Sequence, residues 1–327
     1  MPEISILMSI FNETKEEIFS SINSLIAQSY KDFEIILVNN NPLNDDYSSL
    51  MEDLAKKDYR IKTIVNEQNI GLAMSMNKAA NLASGKYLFR MDSDDVCGPD
   101  RLNTELDILN KNDADLVFTN YSKIDSNGID IEFGKPALPP DIKDNNLLES
   151  IIFKSIIHHP TVAMKRTSFF EVGGYRDFPC AQDLDLWLRM LEAGQTFLYF
   201  NEATIKYRVR DAGVSKMNSA KQYLTIMYIK EMQLERIKRS GIDSFSKDNY
   251  SKYIASHTNG SKVKHFKKAY SLLVQNNKKP FCKYVSRLTA FIISSICRRN
   301  YLFNKNKKRC FLRYFKSKKC KTYCIEY

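Results

Sequence analysis

Between Ile4 and Met91 the chain alternates apolar, β-branched runs with amphipathic stretches, and few folds accommodate that alternation. Ile4–Ile10 predicts a buried strand. Thr14-Lys15-Glu16-Glu17 is a capping box that opens a helix burying Ile18, Ile22, Leu25 and Ile26. Phe33–Val38 predicts a second strand, closed by the turn-rich Asn39-Asn40-Asn41-Pro42. A polar helix near Asp45–Lys57 leads to a third strand, Ile61–Val65. Gly71 opens a further helix with its stop at Gly85, and Lys86–Met91 is a fourth strand. Strand, helix, strand, helix implies an α/β fold with a parallel sheet and right-handed crossovers.

Further on, a helix near Pro99–Leu109, a strand near Asp115–Thr119 and a hairpin at Ser126-Asn127-Gly128 follow. Thr161–Lys165 reads as another strand. Asp183–Glu192 reads as a helix ended by Gly194, with Leu184, Trp187, Leu188 and Leu191 on its buried face. From about Val214 the chain reads as mostly helical. With 327 residues, 43% hydrophobic and 27% charged, it is globular and longer than a typical single domain. Met1-Pro2-Glu3 shows no secretory signal, and the longest nearly uncharged apolar stretch, Leu288–Cys297, falls short of the roughly 20 residues that span a bilayer. Seven cysteines without CxxC spacing suggest reduced thiols in a cytosolic setting.

In a parallel sheet, ligands bind at the carboxyl ends of the strands. The polar groups there are Asn12 and Glu13, Asn39 and Asn40, and the run Asp92-Ser93-Asp94-Asp95. Three carboxylates within four residues repel unless a cation or hydrogen-bond donors offset them. Hard oxygen ligands suit Mg2+ or Mn2+ held between carboxylates and a substrate diphosphate. Helix capping and solvation ahead of Pro99 is the structural alternative. The remaining ligands of a calcium-binding loop are missing, and with 11 glycines there is no phosphate- or dinucleotide-binding glycine loop.

Ile4–Glu13, Asn69-Ile70-Gly71-Leu72 with Asn77, Gly85-Lys86-Tyr87 and Arg90–Asp95 with Pro99–Arg101 form an ordered series. It continues through His159-Pro160-Thr161-Val162, Gly173-Gly174-Tyr175, Gln182–Arg189 and Tyr207-Arg208. In this series, spread over residues 1–216, the chain resembles bacterial family-2 glycosyltransferases of the GT-A fold, in particular enzymes that assemble O-antigen, capsule or other exopolysaccharide repeat units. The resemblance implies a Rossmann-like, mostly parallel sheet flanked by helices, and an inverting hexosyltransferase. It assigns Asp92 and Asp94, with Ser93 between them, to ribose, diphosphate and a Mn2+ or Mg2+ ion, and Asp183 to the general base. An N-terminal helix partner is the structural alternative for Asp183, and the two roles are compatible. Asp185 points elsewhere on the helix.

His159 is either a hydrogen-bond partner of sugar or diphosphate or a polar loop residue ahead of Pro160, and the same choice applies to His158. Tyr175 and Trp187 are stacking candidates, though Trp187 lies in an apolar stripe. Gly173-Gly174 permits close approach or positive φ. The sequence departs from the family at three places. Asn39-Asn40 replaces an Asp-Asp that reads uracil; an amide still accepts and donates, so a UDP donor stays the expectation. Arg210, shortly after Arg208, replaces a histidine that in relatives is sometimes a metal ligand, and suits phosphate oxygens. Met76 replaces an arginine, removing a salt bridge.

Residues 251–327 carry 20 Lys and Arg against one acid, Glu326, whereas the preceding 250 carry 29 against 37. The tail interleaves those cations with aromatics, including a helix over Tyr284–Phe303 with Val285, Leu288, Ile292, Ser295 and Ile296 on one face, then Lys305–Arg313. An anionic membrane surface fits that pattern, as does an acceptor carrying a lipid diphosphate. A small helical subdomain is the plain alternative. The expectation is a catalytic domain over 1–216 (nucleotide-binding half to about 120, acceptor half beyond) and a helical basic region over 217–327. The enzyme then works at the inner face of the cytoplasmic membrane on a nucleotide-diphospho-sugar and a lipid-linked oligosaccharide. Nucleic-acid binding, for which no motif is present, and a non-catalytic sugar-nucleotide sensor are the rival readings.

Overall fold

The apolar runs at Ile4–Ile10, Phe33–Val38 and Lys86–Met91 become strands covered on both faces, whereas Ile61–Val65 becomes the half-exposed last strand of the sheet. The computed structural model describes residues 1–131, 137–138, 141–210, 219–258, 261, 264–265, 307–318 and 320–325. Strand β1 (Ile4–Ile10) and β2 (Phe33–Asn39) are buried throughout, and β3 (Ile61–Val65) and β4 (Tyr87–Arg90) flank them. They alternate with α1 (Lys15–Ile26), α2 (Asp45–Lys57) and α3 (Gly71–Leu82). The capping box forms, with Thr14 Oγ1 accepting from the Glu17 N–H and Glu17 Oε2 from the Thr14 N–H. Ile18, Ile22 and Leu25 are buried, whereas Ile26 is only partly so.

After β4 come β5 (Val96–Cys97), α4 (Arg101–Lys111), β6 (Leu116–Ile124), β7 (Asp130–Ile131), α5 (Asp144–Glu149) and β8 (Val162–Lys165). Then follow α6 (Arg166–Glu171), α7 (Gln182–Glu192), β9 (Thr196–Arg208), α8 (Ser219–Lys238), α9 (Lys247–His257) and β10 (Lys321–Ile325). The sheet order is β10-β9-β6-β8-β4-β1-β2-β3. Only β8 runs against its neighbours on this path, pairing antiparallel with β4 and β6. The GT-A arrangement, a mostly parallel sheet flanked by helices, is therefore the observed fold.

Two strands of the main sheet path depart from the sequence expectation. The first is β9, thirteen residues long, which pairs parallel with β6 through a bulge between Thr119 and Tyr121. Asn201-Glu202 interrupts its apolar pattern, so its period is broken in sequence though not in space. The second is β10, in a region read as helical, which adds parallel to β9 from Lys321↔Thr196 to Ile325↔Phe200. The Cys324 N–H donates to Asp144 Oδ1 at 2.6 Å. Parallel neighbours need a long crossover, and here it is a whole unit. The chain divides into one unit of Met1–Asp211 with Lys318–Tyr327 and a second of Ala212–Ser317.

In the second unit, Thr225 of α8 and Tyr250 of α9 share a hydroxyl hydrogen bond of 2.8 Å. Residues 307–317 are helical, with Phe311 and Phe315 buried and Lys307, Arg309, Arg313 and Lys316 exposed. The expected helix over Tyr284–Phe303 lies outside the described residues, as does the start of the basic run at Lys305. Among the described residues no helix is long and apolar enough to cross a membrane.

Gly85 proves not to be the stop of α3, which ends earlier at the Ala83 cap. Its role is close approach. A Cβ there would lie 2.6 Å from the Ser5 N and 2.7 Å from Ser5 Oγ. The Gly85 N–H donates to that Oγ at 2.8 Å, and Ser5 Oγ donates in turn to buried Glu34 at 2.6 Å. Gly85→Ala should therefore cost about 1–3 kcal/mol through overpacking against rigid backbone. Thermal denaturation checks it, and an unchanged melting temperature would contradict the close packing of β1 on the Gly85 turn.

Candidate active site

The carboxyl ends of β1, β2 and β4 lie side by side, and the loop after β4 brings the acidic run to them. Ser93 Oγ donates to the Ser9 carbonyl at 2.8 Å, and Ser21 Oγ of α1 donates to the Asp92 carbonyl at 3.1 Å. Asp95 is fully buried. Its Oδ1 accepts the Arg208 N–H at 2.8 Å, and its Oδ2 has no hydrogen-bond partner. These bonds turn Asp95 inward and leave Asp92 and Asp94 partly accessible, with side chains 31% and 21% exposed.

Three arginines answer this negative charge. Arg90 pairs with Asp92. Arg210 pairs with Asp94 Oδ2 at 3.0 Å and with Glu17 Oε2 at 2.8 Å, linking the loop to the first turn of α1. Arg208 uses Nε on the Asp94 carbonyl at 2.7 Å, and Nη1 on the carbonyls of Asp125 and Ser126. It thus clamps two loops together. The compensation is incomplete. Burial, then repulsion from Asp92, outweigh Arg210 and raise the Asp94 carboxyl to about 6. Burial and both acidic neighbours hold Asp95 well above the ordinary aspartate range.

The other predicted donor-side residues converge at the same strand ends. Glu13 Oε2 accepts the N–H groups of Phe11 and Asn12 at 2.7 and 3.2 Å, closing the loop after β1. Asn39 Oδ1 accepts from the Asn41 N–H at 2.8 Å, while its amide nitrogen is buried without a partner. Asn40 is engaged on both sides. Its Oδ1 accepts from Asn66 Nδ2 and the Ile70 N–H, and its Nδ2 donates to Asn69 Oδ1 at 3.0 Å. Asn66, which sequence reasoning passed over, completes this amide cluster. Its only signal was proximity to the Asn69-Ile70-Gly71 turn.

Across the sheet, Ala181 in a left-handed conformation (φ +55°) starts α7 and sets Asp183 in its first turn. Asp183 Oδ1 accepts the Leu184 N–H at 2.9 Å. Burial raises its carboxyl above the ordinary value, Asp92 adds to the rise, and Arg90 opposes it. Asp185, on another side of the helix from Asp183, is buried and pairs with Arg189 Nε at 2.8 Å. Arg189 in turn holds the carbonyls of Val172 and Gly174. That turn needs glycine. Gly174 has φ +65°, and a Cβ would sit 2.7 Å from Asn77 Oδ1. Asn77 brackets the next residue, accepting from the Tyr175 N–H at 2.9 Å and donating to its carbonyl at 2.8 Å.

The Tyr175 hydroxyl meets His159 Nε2 at 2.7 Å, and Tyr121 does the same for His158. Burial keeps both imidazoles neutral, His159 well below its usual range and His158 at about 4. Trp187 is 2% exposed and Tyr175 4% exposed, so neither offers a ring face to a ligand. Met76 is core. Sequence reasoning also missed the buried Arg101, which pairs with Glu105 and donates to the carbonyls of Arg90 and Pro160 at 2.9 and 2.8 Å. It ties the end of β4 to the histidine segment. In the sequence Arg101 stands only as a member of the motif series, with no signal that it is buried.

Among the described residues no three His, Cys, Asp or Glu side chains converge as a metal cage. The donor set still fits a divalent cation. Asp92 and Asp94 present partly accessible oxygen ligands, and Mg2+ characteristically takes one or two carboxylates and completes its shell with phosphates and water.

The sequence profile of glycosyl transferase family 2 matches residues 5–172. An uncharacterised glycosyltransferase of Methanocaldococcus jannaschii is 32% identical over 225 residues, 68% of this chain and 77% of the relative. The Escherichia coli O-antigen biosynthesis glycosyltransferase WbnJ is 30% identical over 216 residues, 65% of this chain and 82% of that protein. Among solved structures, S. aureus TarS in complex with UDP-GlcNAc superposes with a TM-score of 0.57 at 17% identity, over 97% of this chain and 88% of that one.

The Asp185–Arg189 pair anchors the glycine turn from within. Removing one partner of a buried pair leaves an uncompensated charge, so Asp185→Ala should lower stability by about 3–5 kcal/mol. Denaturant unfolding measures this. A loss below about 1 kcal/mol would show that the pair does not hold the turn.

Proposed function

The chain belongs to glycosyl transferase family 2, and on that premise we propose that it moves a hexose, with inversion, from a UDP-linked sugar to a sugar hydroxyl of a lipid-diphosphate-linked oligosaccharide in bacterial surface polysaccharide synthesis. The observation that carries this reading is the pairing of two carboxylate centres in one unit: Asp92 and Asp94 after β4, and Asp183 at the start of α7. Asp183 takes the proton from the acceptor hydroxyl as its oxygen attacks the anomeric carbon. The bond from that carbon to the diphosphate breaks on the opposite face, and its electron pair leaves with the nucleotide. A raised carboxyl pKa suits this base, since it accepts a proton more readily than an ordinary aspartate.

Asp92 and Asp94 are the residues that would hold Mn2+ or Mg2+, which supplies charge stabilisation to the departing diphosphate. Ser93 fixes their loop. Arg208 clamps it, and Arg210 stands ready to exchange its carboxylate partners for phosphate oxygens. Asn39 and Asn40, with Asn12 and Glu13, shape the nucleoside end. His159, neutral and bonded to Tyr175, borders the sugar. The UDP-GlcNAc bound by TarS supports a uridine donor, and the O-antigen role of WbnJ supports the polysaccharide pathway. The exposed cations of residues 307–317 and the basic composition of the tail support a peripheral position at the cytoplasmic membrane face.

Turnover of a panel of UDP-, GDP- and TDP-sugars with Mn2+ and a synthetic lipid-diphosphate oligosaccharide tests the reaction. UDP-sugars should be consumed. Asp183→Asn should lower transfer about 10²–10⁴-fold while keeping the wild-type melting temperature, and full activity in that variant would remove Asp183 from the base role. For the membrane, each basic group near an anionic surface contributes about 1 kcal/mol. Replacing Lys307, Arg309, Arg313 and Lys316 together by Glu should therefore reduce co-sedimentation with phosphatidylserine-containing vesicles about tenfold or more. Undiminished co-sedimentation would reject membrane contact by this helix.

A further inference from the structure

Past its bulge, β6 carries Tyr121, which is 6% exposed, and Lys123 on the same face, and Lys123 lies opposite Tyr207 of β9 in the parallel ladder. The Tyr121 and His158 ring centroids lie 4.0 Å apart, and the Tyr121 phenol meets His158 Nε2 at 2.7 Å. The Tyr207 ring makes T-shaped contacts with both, 5.7 Å from Tyr121 at 70° and 5.6 Å from His158 at 74°. His158 and Tyr207 are partly exposed. Buried Tyr121 is thus the backing for two more accessible rings, set at a steep angle like the walls of a corner.

The main chain fixes this corner to the carboxylate loop. The peptide joining Tyr207 to Arg208 donates its N–H to Asp95 Oδ1 at 2.8 Å. Two residues after His158, the Pro160 carbonyl accepts from Arg101 Nη2 at 2.8 Å, and the same nitrogen holds the Arg90 carbonyl at 2.9 Å. Sheet order then tells which part of a bound substrate the rings meet. Asn39 and Asn40 follow β2, the carboxylates follow β4, and the rings stand at β6 and β9, on the far side of β4. At about 4.8 Å per strand, β6 is about 10 Å from β4 and about 19 Å from β2. A nucleotide-sugar whose nucleoside lies at β2 and whose diphosphate lies at β4 leaves these rings to the molecule that attacks it.

A pyranose has faces of C–H groups and a rim of hydroxyls, so it covers an aromatic ring while its rim bonds to polar edges. Tyr and His each pair a flat ring with such an edge. We propose that Tyr207 and His158 form the seat of the acceptor sugar, Tyr207 supplying a stacking face and His158, held by Tyr121, the second wall. The proposal rests on the transferase reading above. The two rings take part in no bond change; they select the acceptor ring and set how its hydroxyl is presented. Tyr175 and Trp187, the stacking candidates in the sequence, are closed off, and Tyr207 and His158 take that place.

The test measures kcat and separate KM values for the UDP-sugar and for the synthetic lipid-diphosphate oligosaccharide, in wild type, Y207L and Y207F. The donor is the UDP-sugar that the wild type turns over fastest, and melting temperatures are recorded alongside. Y207L should raise the acceptor KM about tenfold while the UDP-sugar KM stays within about twofold of wild type. Y207F keeps the ring and should hold the acceptor KM within about threefold. A folded Y207L with the wild-type acceptor KM overturns the proposal. So does a Y207L whose two KM values rise together, since a merely structural role does not separate acceptor from donor, and so does a Y207F as impaired as Y207L. If Y207L does not fold, H158Q, which keeps a polar partner for Tyr121 but no ring, decides: a raised acceptor KM at an unmoved UDP-sugar KM supports the proposal, and an unchanged acceptor KM overturns it. A wild type that turns over no UDP-sugar overturns the transferase reading and this proposal together, whereas an active wild type with indifferent variants overturns the proposal alone.

Discussion

Negative charge crowded at the end of β4 is the constraint to which the rest of the site answers. Asp92, Asp94 and Asp95 occupy three of four consecutive positions with Glu13 and Glu17 nearby, and water cannot screen them all. The fold responds with Arg90, Arg208 and Arg210, which come from the end of β4 and from the chain at and just past the end of β9. Each also holds a second part of the structure: Leu7 of β1, the loop at Asp125, and the capping box of α1. The acidic run is thus both the liability and the organiser of its surroundings. Asp92 and Asp94 nonetheless keep part of their carboxylate surface open, as a site completed by a cation and a diphosphate would require.

Asp183, the carboxylate proposed as the base, is positioned by a separate device. Asp185 and Arg189 form a buried pair that grips the Gly173-Gly174 turn, and Asn77 from α3 brackets Tyr175 behind it. Arg101 joins the two sides by holding the carbonyls of Arg90 and Pro160. Two aspartates two residues apart on one helix consequently differ in kind. Asp185 is internal and paired, while Asp183 stays partly accessible with a weakly compensated charge, the combination a base requires.

Much of this was legible in the sequence, for identifiable reasons. Strands β1, β2 and β4 are largely apolar runs between clear turn signals, β3 is a shorter mixed one, and the Thr14–Glu17 box announces its helix. Asp92, Asp94 and Asp183 were visible as members of an ordered motif series rather than through their chemistry alone. Strand β9 was not legible, since Asn201-Glu202 and the bulge opposite break its pattern. Strand β10 was hidden in a basic, helix-like context and exists only by pairing with β9. What the motif series did not show is that Arg90 and Arg101 are buried and hold the surrounding backbone, which depends on the elements that cover them. Gly85 was read as a helix stop, whereas its small size serves the contact with Ser5.

The central claim is that Asp92 and Asp94 bind a divalent cation together with a nucleoside diphosphate. Calorimetric titration of the purified chain with UDP in the presence of Mn2+ tests it most directly, with Asp94→Ala as the control. The account predicts saturable heat for the wild type that disappears when Mn2+ is chelated and is lost in the variant. Absence of heat with UDP and with every other nucleoside diphosphate, or equal binding with and without the metal, would contradict it.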